Sequence, residues 1–123
     1  MLNTIRKTSK LFSIVLNPIL IIYFWLGFFS RFLLFGFAHA CIFFQRIPKP
    51  AVIPILRSFG ASIGKNCDLE TGFIFHNCQN FKNIKIGDNC HIGKACFFDL
   101  RDAIAIEDNV VISMQCTFIT HID

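Results

Sequence analysis

Residues 84–103 read IKIGDNCHIGKACFFDLRDA, and residues 104–123 read IAIEDNVVISMQCTFITHID. The second segment repeats the first at a period of 20 residues, so that isoleucines, an Asp-Asn pair, a cysteine and a phenylalanine recur at equivalent positions. A looser copy precedes them, because IGKNC at residues 63–67 matches IGDNC at residues 86–90. A fixed period of this size is typical of stacked repeats rather than of an ordinary globular core.

Within each copy, large apolar residues recur at every sixth position. They are Ile63, Leu69, Phe75 and Phe81 in the first copy, Ile86, Ile92 and Phe98 in the second, and Ile106, Ile112 and Phe118 in the third. A helix would show spacings of three and four residues, and a simple hairpin would show strict alternation. The six-residue spacing instead predicts short strands separated by turns, each directing one large side chain towards a common axis. Glycines after the anchors and the Asp-Asn pairs suit those turns.

This pattern resembles the hexapeptide-repeat family, whose members are left-handed parallel β-helix acyltransferases. The resemblance covers residues 61–123 and rests on the phrases IGKNC, IGDNCHIG and IEDNVVIS. It implies a mainly β fold with three parallel sheets, one coil for each of the three copies, and assembly as a homotrimer. The left-handed winding is an exception to the usual right-handed crossover, and it is expected from the resemblance alone.

The 20-residue period is two residues longer than three hexapeptides. The surplus lies between Phe98 and Ile106, which are eight residues apart, and the first copy has a larger surplus between Phe75 and Ile86. We therefore expect the third face of each coil to bulge outward at one corner. Residues 98–102 (FDLRD) are predicted to lie on this excursion in the second coil, and residues 118–122 (FITHI) in the third.

A basic, apolar leader precedes the repeats. Residues 1–60 carry seven basic residues and no acidic one, whereas residues 61–123 carry five basic and eight acidic residues. Residues 11–30 are uncharged and, as a helix, would extend about 30 Å, enough to cross a bilayer core. Arg31 ends this uncharged run, and residues 32–45 form a second uncharged run that is too short for a typical membrane-spanning helix. This composition favours an anionic membrane surface over nucleic acid as a partner.

Two arrangements of this leader remain open. Either residues 11–30 span the membrane and residues 32–45 lie along the interface, or the two runs form a re-entrant hairpin. Basic residues on both sides favour the cytoplasm at both ends and therefore the hairpin. A signal peptide cleaved at the Ala38-His39-Ala40 sequence is the alternative, although the apolar run is longer than the usual signal core.

The predicted organisation has three parts. Residues 1–46 form the apolar helical membrane segment, residues 47–60 a proline-containing linker, and residues 61–123 the β-helix. Within the linker, residues 55–59 are expected to form an amphipathic turn that rests on the membrane. The repeats stop in mid-coil, so we expect a truncated repeat domain. The expected location is the cytoplasmic side of a bacterial inner membrane.

Six cysteines raise the question of disulfides or a metal site. The chain contains no C-x-x-C sequence, and four cysteines occupy the small inward positions of the repeat: Cys67, Cys90, Cys96 and Cys116. A free cysteine behaves there as a small apolar residue. The spacing therefore predicts free thiols, a reducing compartment and no metal ion.

The candidate catalytic residue is His121, which follows Thr120 at the outward corner of the third coil. Family members that modify sugar hydroxyls carry a catalytic histidine after a similar Thr-His, so the resemblance implies that His121 is the general base. A sugar hydroxyl is a poor nucleophile, and an imidazole can remove its proton in the transition state, typically accelerating the reaction about 10²–10⁴-fold. His76 and His91 are expected in a loop and on an exposed face, respectively.

Three neighbouring residues are candidates for binding the substrate. Stacked strands lie about 4.8 Å apart, so the register puts Arg101 directly beneath His121, with Asp99 and Asp102 beneath other residues of the third coil. We hypothesise that Asp99 or Asp102 orients the imidazole or binds hydroxyls of the acceptor. A solvated acidic loop is the alternative, and Asp123 is a further candidate for orienting the ring.

Together with the family resemblance, these residues predict an acyl-CoA-dependent O-acyltransferase. Its co-substrate would be acetyl-CoA or another acyl-CoA, and it would have no permanently bound cofactor. The expected acceptor is a sugar hydroxyl of a membrane-associated saccharide or polysaccharide precursor. A non-catalytic, membrane-anchored β-helix module or an inactive fragment is the alternative. A hydratase resembling the gamma-type carbonic anhydrases would need three convergent histidines, but the histidines at positions 76, 91 and 121 do not share a register.

Overall fold

The structure is a computed structural model that describes residues 1–121. Within that range, three helices precede nine short strands. The helices are α1 (Leu2–Phe35), α2 (Phe37–Phe44) and α3 (Lys49–Ser58). The strands are β1 (Ser62–Ile63), β2 (Asp68–Leu69), β3 (Ile74–His76), β4 (Ile84–Ile86), β5 (His91–Ile92), β6 (Phe97–Asp99), β7 (Ile104–Ile106), β8 (Val111–Ile112) and β9 (Thr117–Phe118).

The strands form three parallel sheets, each built from one strand of every coil. The strand orders are β1-β4-β7 in the first sheet, β2-β5-β8 in the second and β3-β6-β9 in the third. The anchors predicted from the six-residue spacing stack in register along each sheet: Ile63, Ile86 and Ile106; Leu69, Ile92 and Ile112; Phe75, Phe98 and Phe118. The short strands and inward anchors are those that the spacing predicted, and the three parallel sheets are those that the family resemblance implied.

The prediction that the chain as a whole is mainly β is wrong. The helices contain 34, 8 and 10 residues, whereas each strand contains two or three. Strands stay short because the turns occupy much of every hexapeptide, and the helical share is large because residues 1–58 are almost entirely helical.

Asparagines form the turns that connect the first and second sheets. Asn66, Asn89 and Asn109 have φ angles of 55°, 59° and 62°, a left-handed conformation that asparagine tolerates better than most residues. They stack on one another, and the side chain of Asn66 donates a hydrogen bond to that of Asn89 at 3.3 Å. The carboxylates of Asp88 and Asp108 each accept a backbone N–H from the coil below, at 2.8 and 2.7 Å. This ladder holds successive coils at a fixed spacing.

Helix α1 is longer than the predicted span and continues through Arg31. Its 34 residues extend about 51 Å. The Arg31 guanidinium donates to the Gly27 carbonyl at 3.1 Å and lies 3.9 Å from the ring centroid of Phe43, so the helix accommodates the charge. In the described part of the chain, α1 alone is long and apolar enough to cross a membrane, with a mean hydropathy of 2.1; a signal sequence would meet the same criteria.

Helix α2 folds back along the end of α1 after Gly36, whose φ of +93° suits glycine. Six phenylalanines from both helices, the loop before the first coil and the first coil itself then pack together. We call this group the aromatic junction: Phe28, Phe37, Phe44, Phe59, Phe75 and Phe81. The ring centroid of Phe81 lies 4.7 Å from that of Phe75 and 4.9 Å from that of Phe37. The helices and the coils consequently share one hydrophobic core.

Helix α3 closes the base of the coils, in the segment where we predicted a proline-containing linker and a membrane-resting turn. Pro50 falls in the first turn of α3, where a missing N–H breaks no helical hydrogen bond. Ile55 and Leu56 are buried beneath the first coil, so they do not rest on a membrane. Arg57 also donates to two backbone carbonyls of that coil, at 2.8 and 2.9 Å. This segment therefore acts as a terminal cap of the solenoid.

The cysteines follow the prediction for small inward positions. All six lie within the described residues and are free thiols. The Sγ atom of Cys67 lies 3.1 Å from the Gly87 carbonyl oxygen, and that of Cys90 lies 3.0 Å from the carbonyl oxygen of Glu107. Each thiol thus points at the backbone of the coil above and fills the space between coils.

Candidate functional site

The candidate site lies where β6 leaves the third sheet. We predicted that the outward excursion begins at Phe98, but β6 extends to Asp99 and Leu100 is also buried. The Asp99 side chain is only 3% exposed. The solvated-loop alternative is therefore wrong for Asp99, and the exposed part of the excursion begins at Arg101.

The buried carboxylate of Asp99 is supported by two hydrogen bonds. Its Oδ1 atom accepts one from the side-chain amide of Asn77 and one from the backbone N–H of Arg101, both at 3.2 Å. Burial by itself would raise the pKa of Asp99, but these hydrogen bonds and the imidazole of His121 lower it below its ordinary value. The side chain therefore carries its negative charge at neutral pH.

His121 lies against this carboxylate. Its Nδ1 atom is 2.6 Å from Asp99 Oδ2, and its side chain is 20% exposed, so the ring is not part of the packed axis. Thr120 fixes the backbone just before it: the hydroxyl donates to the Asp99 carbonyl at 3.1 Å and accepts the Asp102 N–H at 3.2 Å. This brace between the second and third coils brings the imidazole over Asp99.

The other residues that we predicted for the site are Arg101, Asp102 and Asp123. The strand pairing of the third sheet ends at Phe118, so the position of Arg101 beneath His121 stays a prediction. Arg101 lies on the exposed side of the corner. Asp102 is exposed and meets the third coil through its backbone N–H. The predictions for Asp123 and for the residue before it fall outside the described residues.

A second histidine–aspartate contact occurs on the second sheet and differs in burial. His91 Nδ1 lies 2.8 Å from Asp68 Oδ2, but the two side chains are 41% and 48% exposed. The Lys49 ammonium also contacts the Asp68 carboxylate and, with His91, lowers its pKa. Because both solvent and the Lys49 ammonium interact with the Asp68 carboxylate, the His91–Asp68 pair is a solvent-exposed surface contact. Across residues 1–121, no group of three histidine, cysteine or acidic side chains is arranged to hold a metal ion.

A cavity of about 500 Å³ opens beside the buried carboxylate. It is lined by Ala38, His76, Asn77, Cys78, Gln79 and Arg101. His76 pairs with Asp99 across β3 and β6, and Asn77 connects the cavity wall to the carboxylate.

Sequence reasoning did not assign Asn77 to the site. Its φ of +56° resembles that of the other turn asparagines. An asparagine directly after a predicted strand was the available signal.

The fold and the site together define a parallel β-helix of hexapeptide repeats with a buried His-Asp contact at one corner. A family model described as "Hexapeptide repeat of succinyl-transferase" matches residues 83–116. This match supports the hexapeptide-repeat family for that part of the chain and, with it, a transferase activity in general. No curated protein and no solved structure matches the chain.

Proposed function

We propose that the chain is an acyl-CoA-dependent O-acyltransferase in which His121 is the general base and Asp99 is its positioning residue. The observation that carries the proposal is the 2.6 Å contact between the His121 imidazole and a carboxylate that is almost fully buried. A buried charge is retained where it is paired and hydrogen-bonded. The His91–Asp68 contact lacks this burial and is not assigned a role.

The reaction follows from the orientation of the ring. The Nδ1 atom of the ring lies against Asp99, so Nε2 is the nitrogen that takes the proton from the acceptor hydroxyl. The hydroxyl oxygen then attacks the thioester carbonyl, and the tetrahedral intermediate expels the thiolate of coenzyme A. The imidazolium of His121 returns the proton to that thiolate, which yields the ester and the free thiol. Throughout, the Asp99 carboxylate stabilises the transient positive charge on the ring.

The remaining features extend the proposal. The coils wind left-handed and three chains assemble into a homotrimer, acetyl-CoA is the acyl donor, and the acceptor is a membrane-associated saccharide or polysaccharide precursor. Helix α1 anchors the coils to the cytoplasmic side of a bacterial inner membrane. The burial of Ala40 inside α2 supports a retained leader, because cleavage after that residue would remove part of the packed core.

The test is acetyl transfer by the purified chain in neutral detergent. Release of the coenzyme A thiol is measured with and without a membrane saccharide fraction as acceptor. We expect His121→Ala to reduce acceptor-dependent release about 10²–10⁴-fold. His91→Ala is the matched control, because it also removes an imidazole next to an aspartate and should leave the rate unchanged. Equal rates for His121→Ala and the wild type, or no acceptor-dependent release by the wild type, would refute the proposal.

A further inference from the structure

The cavity beside Asp99 presents groups suited to an anion. Arg101 supplies a guanidinium, His76 an imidazole, and Asn77 and Gln79 supply amide donors. Its described lining contains no acidic side chain. An adjoining cavity of about 230 Å³ shares this loop and adds the ammonium of Lys82. A cleft lined by one sign of charge concentrates ligands of the opposite sign.

The nearby Asp99 carboxylate is not part of the cavity wall. Its Oδ1 atom accepts two N–H donors, and its Oδ2 atom lies against His121. The guanidinium of an arginine matches the geometry of phosphate oxygens and binds them through paired hydrogen bonds. A volume of about 500 Å³ also exceeds that of a bare ion and lies in the range of small-molecule sites. These features favour a phosphate group attached to a larger molecule.

The cavity is connected directly to the catalytic pair. Asn77 lines it and donates to Asp99, and His76 lines it as the strand partner of Asp99. A ligand whose phosphate occupies the cavity would therefore have its adjoining part next to His121. Ala38 of α2 also lines the cavity, and α2 packs along the apolar α1. A phosphate carried by a lipid can thus approach from the side of the apolar helices.

We propose that this cavity binds the phosphate of a phosphorylated saccharide acceptor, with Arg101 and His76 as binding residues and Asn77 as a positioning residue. The saccharide part of this statement rests on the proposed acyl transfer, whereas phosphate binding does not. The phosphate belongs either to a lipid-linked saccharide or to a soluble sugar phosphate, and the two sources share the same chemistry at the cavity.

Calorimetric titration of the full chain in neutral detergent tests the site with two probes, dodecyl phosphate and inorganic phosphate. We expect Arg101→Gln to weaken dodecyl phosphate binding at least about tenfold, because a charged hydrogen-bonded contact is lost. His76→Gln provides a second variant and should also weaken binding. Lys85→Gln is the control: it removes one charge from the exposed face of β4, away from the cavity, and should change the Kd less than twofold. Circular dichroism confirms that each variant is folded.

The two probes separate the sources of the phosphate. Tighter binding of dodecyl phosphate than of inorganic phosphate supports a lipid-linked acceptor, and equal affinity supports a soluble one. Absent binding of both probes, or equal losses in Arg101→Gln and Lys85→Gln, would overturn the site. If binding depends on Arg101 but no acyl transfer occurs, the anion site stands and the proposed activity fails. If transfer to a phosphorylated saccharide keeps its KM in Arg101→Gln, this inference fails and the activity stands.

Discussion

Replacing Phe81 by alanine tests whether the apolar helices and the coils fold as one unit. Phe81 is fully buried, and its ring contacts those of Phe28, Phe37, Phe44 and Phe75 at centroid distances of 4.7 to 6.0 Å. A buried phenylalanine-to-alanine change costs about 3–5 kcal/mol. Small domains have a total free energy of unfolding of about 5–15 kcal/mol. We therefore expect Phe81→Ala to remove about a fifth or more of the stability.

The measurement is urea unfolding in neutral detergent, followed by circular dichroism and by fluorescence. Trp25 is the one tryptophan of the chain and lies 6.2 Å from the ring of Phe59 in the aromatic junction, so it reports on this contact. Phe35→Ala is the matched control because its side chain is 66% exposed, and it should change the stability by no more than about 0.5 kcal/mol. A loss below about 1 kcal/mol for Phe81→Ala, with a wild-type spectrum, would show that the helices and coils are independent.

Three further predictions concern the turns, the base of the coils and the site. Gly87→Ala should lower the free energy of unfolding by about 1–3 kcal/mol, because a Cβ atom there would overlap the carboxylate and backbone of the turn above. Lys49→Gln should cost no more than about 1 kcal/mol at pH 7, since the Lys49–Asp68 contact is about half exposed. The pKa of Asp68 is lowered by Lys49, so this difference should shrink as the pH falls below the ordinary carboxylate range. Asp99→Asn should reduce turnover about 10²-fold, whereas Asp102→Asn should leave it within twofold.

Each of these predictions has a measurement that can contradict it. Urea unfolding of Gly87→Ala is compared with Ser113→Ala, which removes only a hydroxyl and should change the stability by less than about 0.5 kcal/mol. Equal stabilities for the two variants would contradict the packing argument. For Lys49→Gln, a stability difference that does not shrink as the pH falls below the ordinary carboxylate range would show that the ion pair is not its origin. Equal turnover of the Asp99→Asn and Asp102→Asn variants would remove the distinction between the buried and the exposed carboxylate.

The coils could be predicted in detail because every coil repeats the same local constraint. The six-residue spacing of Ile86, Ile92 and Phe98 identifies one face per anchor, and the strand pairing places each of them as the spacing predicts. Turn asparagines such as Asn89 also lie where their conformational preference places them. In a periodic sequence, the repeat itself therefore predicts which residues of adjacent coils lie next to each other.

Features that depend on non-periodic contacts could not be read from the sequence. Ile55 and Phe59 have the composition of a membrane-resting turn, but Ile55 is buried beneath the first coil and Phe59 packs against the core. Likewise, the sequence left open whether Asp99 or Asp102 orients His121, and hydrogen bonds from Thr120 and Asn77 bring Asp99 to the imidazole. Where the chain leaves the strands in an excursion, residues of adjacent coils no longer pair one to one. The candidate site lies on such an excursion.

The reversal of the chain at Gly36 has a consequence for how an acceptor reaches the coils. Because α2 runs back along α1 and supplies one wall of the cavity, that cavity opens beside the proposed anchor. An acceptor embedded in the same bilayer searches for it by lateral diffusion in two dimensions. Tethering both reactants to one surface raises their effective concentration without any additional contact. Turnover on a membrane-embedded acceptor would then depend on its surface density rather than on its bulk concentration.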